Sequence, residues 1–216
     1  MTPDMKSKLK LTFLLLITVL PITMATLSFN SAVENGDIGG STNKGTLILP
    51  PADISALAMS DAQGLPMFRS FEEEIARLQE EEEYEIKPWL MVFVTGNACD
   101  ANCQDRIHYL KQLHIALGKN IKRVRRYYLS ASAEPLSEEI ATLFRQEYPS
   151  MGVAYSDMDT IQNNLRKAGV ELSLQNRDYV LLIDPVGNVM MYYTDEQSAE
   201  DIMTDLETLL KYSSLG

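Results

Sequence analysis

A chain of 216 residues, 45% hydrophobic and 23% charged, has room for one ordinary domain with accessory segments and a globular composition. Its formal net charge of −11 at pH 7 excludes nucleic acid as an expected partner, because phosphate backbones are held by clustered cations. With only two cysteines and two histidines, thiol or soft-metal chemistry has very few side chains to draw on.

Lys6, Lys8 and Lys10 stand in residues 1–10, an expected cytoplasmic N-terminus, and no positive charge follows until Lys44. Residues 11–29 between them are almost wholly apolar, close to the roughly 20 needed to span a bilayer. Basic residues stay on the cytoplasmic side, so the segment reads as one N-terminal transmembrane helix that exports the rest of the chain. Pro21 is tolerable in such a helix as a kink. The alternative is a cleaved signal peptide, with Thr23, Met24 and Ala25 near the cleavage site. Either route implies a single-pass protein of the inner (cytoplasmic) membrane or an exported one, with its C-terminal domain in the periplasm or an equivalent space. Disulfides persist there. Residues 30–44, with Gly36, Gly39, Gly40, Ser41 and Thr42, read as a flexible tether, and residues 45–216 as the folded domain.

That domain opens with a short apolar strand after Gly45, which Pro50 and Pro51 are expected to stop. Residues 57–66 read as half a hairpin turning at Asp61-Ala-Gln-Gly64. An acidic insertion at 71–85 follows, read as a solvated helix or acidic loop. Residues 90–94 are β-branched and aromatic and predict a buried strand, broken by Thr95, Gly96 and Asn97. Beyond the cysteines, Ile107, Leu110, Leu113 and Leu117 recur at helical spacing and Gly118 is placed to end the helix.

Residues 124–129 predict a second, half-covered strand. Ser137 is the expected N-cap of a helix with Ile140, Leu143 and Phe144 inward. A further helix is expected over 159–169. A hairpin over 179–193 turns at Asp184-Pro-Val-Gly-Asn188, and a last helix is opened by Ser198 and Asp201 as a capping box. Strands alternating with helices and ending in an antiparallel hairpin imply an α/β fold: a thioredoxin-like mixed β-sheet flanked by helices.

The chemistry centres on Cys99-Asp-Ala-Asn-Cys103, set between the buried strand and its helix. Unpaired N–H groups and the positive dipole end of a helix start stabilise a thiolate, whereas Asp100 and Asp105 oppose it. Residues i and i+4 share a helix face, so Cys99 and Cys103 are suited to a disulfide or to holding one soft metal ion. His108 and His114 fall five and eleven residues after Cys103 and read as surface or partly packed side chains. Met151 is one of 11 methionines able to supply a soft third ligand. Lys122, Arg123, Arg125 and Arg126 form a basic cluster expected at a solvated strand edge, paired with the glutamate run, or against anionic headgroups. Asp53, Asp157 and Asp159 read as turn and cap acids.

In their order, the anchor, Asp61-Ala-Gln-Gly64, the strand leading to Cys99-Asp-Ala-Asn-Cys103, and the late Tyr179-Val-Leu-Leu-Ile-Asp-Pro-Val-Gly187 resemble the SCO/SenC family. An exported SCO-like group associated with cytochrome c oxidase is resembled more closely, through the stretch from Asn43 to Pro51 and Ala116-Leu-Gly-Lys119. The resemblance implies help in assembling the copper site of a respiratory oxidase, with an oxidase subunit or a copper metallochaperone as partner. It implies Cys99 and Cys103 as a redox-active dithiol or as copper ligands. The family's histidine ligand falls where this chain has Asn176, and residues 172–179 lack the proline that faces the dithiol in thioredoxin oxidoreductases. Two readings follow: a redox partner or weakened copper carrier, and an interaction scaffold with a static disulfide.

Overall fold

The computed structural model describes residues 3–34, 43–80, 87–132 and 136–213. The chain divides into two compact units, Met1–Thr42 and Asn43–Gly216. In the first, α1 (Pro3–Glu34) runs through Pro21 without interruption, with Thr18, Thr23 and Thr26 donating their hydroxyls to carbonyls one turn back. Phe13, Leu14, Leu15 and Ile17 are exposed along it. No helix, over the described residues, is long and apolar enough to cross a membrane.

The second unit is built on one six-stranded mixed sheet of order β1-β6-β5-β2-β3-β4. Its strands are β1 (Thr46–Asp53), β2 (Trp89–Thr95), β3 (Val124–Ser130), β4 (Met151–Tyr155), β5 (Tyr179–Ile183) and β6 (Asn188–Tyr193). β2 pairs parallel with β3 and antiparallel with β5, and β3 pairs parallel with β4. All seven residues of β2 are buried because both faces are covered, which is why it reads as a continuous apolar run. Leu90, Val92 and Val94 face one core with Ile161 and Leu165 of α5 (Met158–Lys167). Met91 and Phe93 face the other. There they meet α3 (Ala101–Ala116), α4 (Glu138–Glu147) and α6 (Ala199–Tyr212).

Several expectations change on folding. Pro50 and Pro51 do not stop β1. The register against β6 shifts between Leu47 and Ala52, and on an edge strand the missing N–H groups cost no ladder partner on the open side. The turn at 61–64 forms, with the Gly64 N–H donating to Asp61 O, but it leads to isolated bridges at Ser60 and not to a hairpin. β3 is covered on both faces, not half-covered, because Tyr127 and Leu129 join one core and Val124 and Tyr128 the other; β4, absent from the sequence reading, pairs with its outer edge. The acidic run forms α2 (Phe71–Glu80), but Glu74 is buried against Arg77 and Lys87 and not solvated. The rest of that insertion, 81–85, lies outside the described residues. The basic cluster is dispersed: Arg123 donates to the Leu210 and Ser213 carbonyls at the end of α6, and Arg126 is buried.

The expected caps are in place. Ser198 and Asp201 complete a capping box on α6, Ser137 accepts from the Ile140 N–H, and Asp157 caps α5.

Candidate functional site

β2 ends at Thr95, and the chain turns through Gly96 to reach the cysteines. A Cβ on Gly96 would lie 2.6 Å from the Leu174 carbonyl oxygen and 2.9 Å from Met158 Sδ, so only glycine lets this turn press against the loop that carries Asn176. Asp100 is the N-cap of α3, its Oδ1 accepting from the Cys103 N–H at 2.9 Å. Cys103 is therefore the third residue of the helix, and Cys99 precedes the cap. The expectation that the pair shares a helix face is corrected: Cys99 folds back over the helix start, bringing the two Cα atoms to 5.1 Å, and the sulfurs are joined as a disulfide. Cys103 is buried at 2% exposure and Cys99 is half-buried.

A cavity of about 360 Å³ opens on the Cys103 side, lined by Thr95, Asp100, Arg106, Asn176, Arg177, Asp178 and Asp195 among others. Asn176, 73 positions beyond Cys103 in the chain, thus shares a cavity with it; its Nδ2 donates to Ser173 Oγ at 2.7 Å. Burial raises the Asp178 carboxyl above the usual range, and the nearby Asp100 and Asp195 charges push the same way against Thr95 and Arg106. Burial lowers the Arg106 guanidinium from its ordinary value, offset by Asp195 and Asp178, and this side chain also donates to the Thr194 carbonyl. A smaller cavity of about 160 Å³ lies on the Cys99 side, between the end of β3 and the start of α4.

Other sequence candidates lie elsewhere. His108 is exposed, while His114 Nε2 is held by the Ile121 and Val124 carbonyls at 3.0 and 2.8 Å, and neither histidine lines the two cavities. Met151 is paired with Arg126 at the start of β3, the opposite end of the sheet from the cysteines, so it is no third ligand. Among the described residues no group of three or more His, Cys, Asp or Glu side chains is placed to hold a metal ion. The donor set at the disulfide is two sulfurs with an amide nearby, which does not fit a three-ligand copper centre. Asp178 and Tyr128 were missed by the sequence reading. Asp178 left one signal, a charge directly before a fully buried strand; Tyr128 left none within β3.

A mixed sheet covered on both faces, with a cysteine pair straddling the N-cap of the helix that follows the central strand, defines a thioredoxin-like dithiol domain. Residues 89–213 match the family "Transmembrane-like, thioredoxin-like, C-terminal domain", and the chain belongs to that family. Yeast Sco1 with copper bound is similar at 12% identity over 72% of this chain and 90% of that one, with a TM-score of 0.49. BsSco, a member of the Sco family of cytochrome c oxidase assembly proteins, gives 14%, 79%, 97% and 0.48. A thiol:disulfide interchange protein from Bacteroides sp. gives 14%, 79%, 91% and 0.45. No curated protein matches the sequence.

Proposed function

We propose that this protein is a membrane-tethered, extracytoplasmic thiol–disulfide partner in the assembly of a respiratory oxidase copper site, with Cys99 and Cys103 as its working pair. The observation that carries the redox reading is the asymmetry of the disulfide: one half-buried sulfur-bearing residue before the helix cap, one fully buried within the first turn. A client thiolate attacks Cys99 Sγ, the Cys99–Cys103 bond breaks, and its electron pair leaves on Cys103 Sγ beside the N–H groups of the first turn of α3. A second client thiolate then attacks the client sulfur of the mixed disulfide and Cys99 leaves as thiolate. The client is oxidised to a disulfide and the pair is reduced; run backwards, the same steps reduce a client disulfide. The oxidase setting rests on the order of motifs in the sequence, and the tether on the unbroken helix α1 with its exposed apolar side chains.

The copper-carrier reading uses the same two sulfurs. Asn176 at the expected histidine position weighs against it, as does the lack of a third ligand among the described residues. One experiment separates the readings. The full chain in detergent is equilibrated in dithiol redox buffers, and its reduced form is titrated with Cu(I). Reversible opening at a mid-range potential, with Cys103→Ser trapping a client peptide on Cys99 and Cys99→Ser trapping little, supports the proposal. Tight one-to-one copper binding that both serine variants abolish would turn the reading to a carrier, and a bond that resists strong reductant would leave only the scaffold. For the tether, the full chain should stay with membranes through alkaline carbonate extraction; release into the supernatant would remove that part of the proposal.

A further inference from the structure

The two sulfurs face unlike surroundings. The cavity on the Cys103 side is crowded with charge, whereas, among the described residues, the lining of the one on the Cys99 side holds no charged side chain. Tyr128 and Ser130 of β3, together with Leu136, Ser137 and Ile140 at the start of α4, form its walls beside Cys99. Ser137 is already committed to the Ile140 N–H. Tyr128 is different: it is completely buried, its ring held 6.0 Å from Phe93 and 4.8 Å from Phe144, yet its Oη has no hydrogen-bond partner among the described residues. The Ser130 side chain interacts with the phenol, outside the geometry of a full hydrogen bond. Burial raises the phenol well above its ordinary range, so it stays a donor at any physiological pH. A buried hydroxyl without an acceptor is costly. Here the cost is borne in the wall of a cavity adjoining the more accessible cysteine.

We infer that the uncharged cavity beside Cys99 is a peptide subsite, in which an uncharged residue next to the client's cysteine is seated and a client backbone carbonyl accepts a hydrogen bond from Tyr128 Oη. The inference rests on the exchange reading above and adds its substrate class: polypeptide thiols with small uncharged neighbours, in preference to free small thiols. Leu136 and Ile140 supply the apolar contact for that neighbour, and the aromatic stack around Tyr128 holds the donor ready before the client arrives.

The test uses the oxidised full chain in detergent and two reductants followed by stopped flow. One is dithiothreitol; the other is a peptide carrying two cysteines flanked by alanine, with a second version flanked by aspartate. Tyr128→Phe keeps the ring and removes only the hydroxyl. It should slow the alanine peptide by about three- to tenfold, the scale of one hydrogen bond, and leave the dithiothreitol rate within about twofold. The aspartate peptide should react more slowly than the alanine peptide with the native protein. Equal slowing of both reductants by Tyr128→Phe would show a purely structural tyrosine and overturn the subsite, as would no slowing of either. A disulfide that neither reductant opens would defeat the exchange reading itself and the subsite with it. Opening by both reductants, with the alanine-peptide rate unchanged by Tyr128→Phe, would defeat the subsite alone.

Discussion

Asp205 is buried in α6, and its carboxylate accepts from the Lys44 and Gly45 N–H groups at 2.8–3.0 Å and from Tyr193 Oη at 2.9 Å. Three donors on one carboxylate tie the first residues of the folded unit to its last helix. Asp205→Asn cannot accept all three and should cost about 2–3 kcal/mol in urea unfolding, with faster amide exchange at 44–46. Unchanged exchange there would show that β1 pairing alone holds the segment. Arg126 is the opposite case. It is 3% exposed and donates to Ser150 Oγ at 2.8 Å, while its Nε and Nη1 have no acceptor among the described residues. Arg126→Met, which keeps the length and removes the charge, should leave stability unchanged or raise it, on the scale of roughly 1–4 kcal/mol known for buried ions replaced by apolar residues. A loss of about 1 kcal/mol or more would mean that the guanidinium is satisfied in solution. Neither role was legible in the sequence: Arg126 read as part of a solvated basic cluster, because local charge patterning says nothing of the Ser150 that folding brings beside it.

At the scale of elements, the loop from Gly96 to Asp100 shows how closely local chemistry and packing cooperate. Asp100 read only as a charge opposing a thiolate and proves to be the cap, whereas the apolar spacing of α3, acting within four residues, was readable. That Gly96 lies against the Leu174 backbone was not, because the partner is 78 positions away. Gly96→Ala should cost about 1–3 kcal/mol by overpacking and separate the cysteine loop from Asn176, read as a changed rate of dithiothreitol reduction. Native stability with a native rate would show that the two loops move apart freely. The end of α3 carries a pH effect. Burial lowers the His114 pKa, and the neighbouring Arg126 charge adds to this against the two carbonyls that hold its Nε2. The unfolded chain takes up a proton near pH 6.5, and the folded chain does so only at lower pH. The contribution of His114 is therefore complete above about pH 6.5 and is lost as the pH falls toward the folded value. The urea midpoint of the native protein should fall between about pH 7.5 and 5.5, and by less in His114→Asn. Identical slopes would assign the fall to other groups.

For the whole molecule, the cysteine pair, the strand before it and the helix after it were determined by the sequence alone. Strand and helix periodicities, caps and turn residues act over a few positions, and a central strand buried on both faces writes itself as an apolar run. The sequence order also carried the family's thioredoxin-like architecture, because alternating strands and helices closed by a hairpin leave few sheets to build. Tertiary structure decided the rest. It set β4 at the edge, carried β1 past two prolines, brought Asn176 and Asp178 to the disulfide and left the Tyr128 hydroxyl without a partner among the described residues. Each of these depends on residues dozens of positions apart meeting across the sheet, and such meetings are fixed by shape and burial in the packed core, to which no local pattern of residues corresponds.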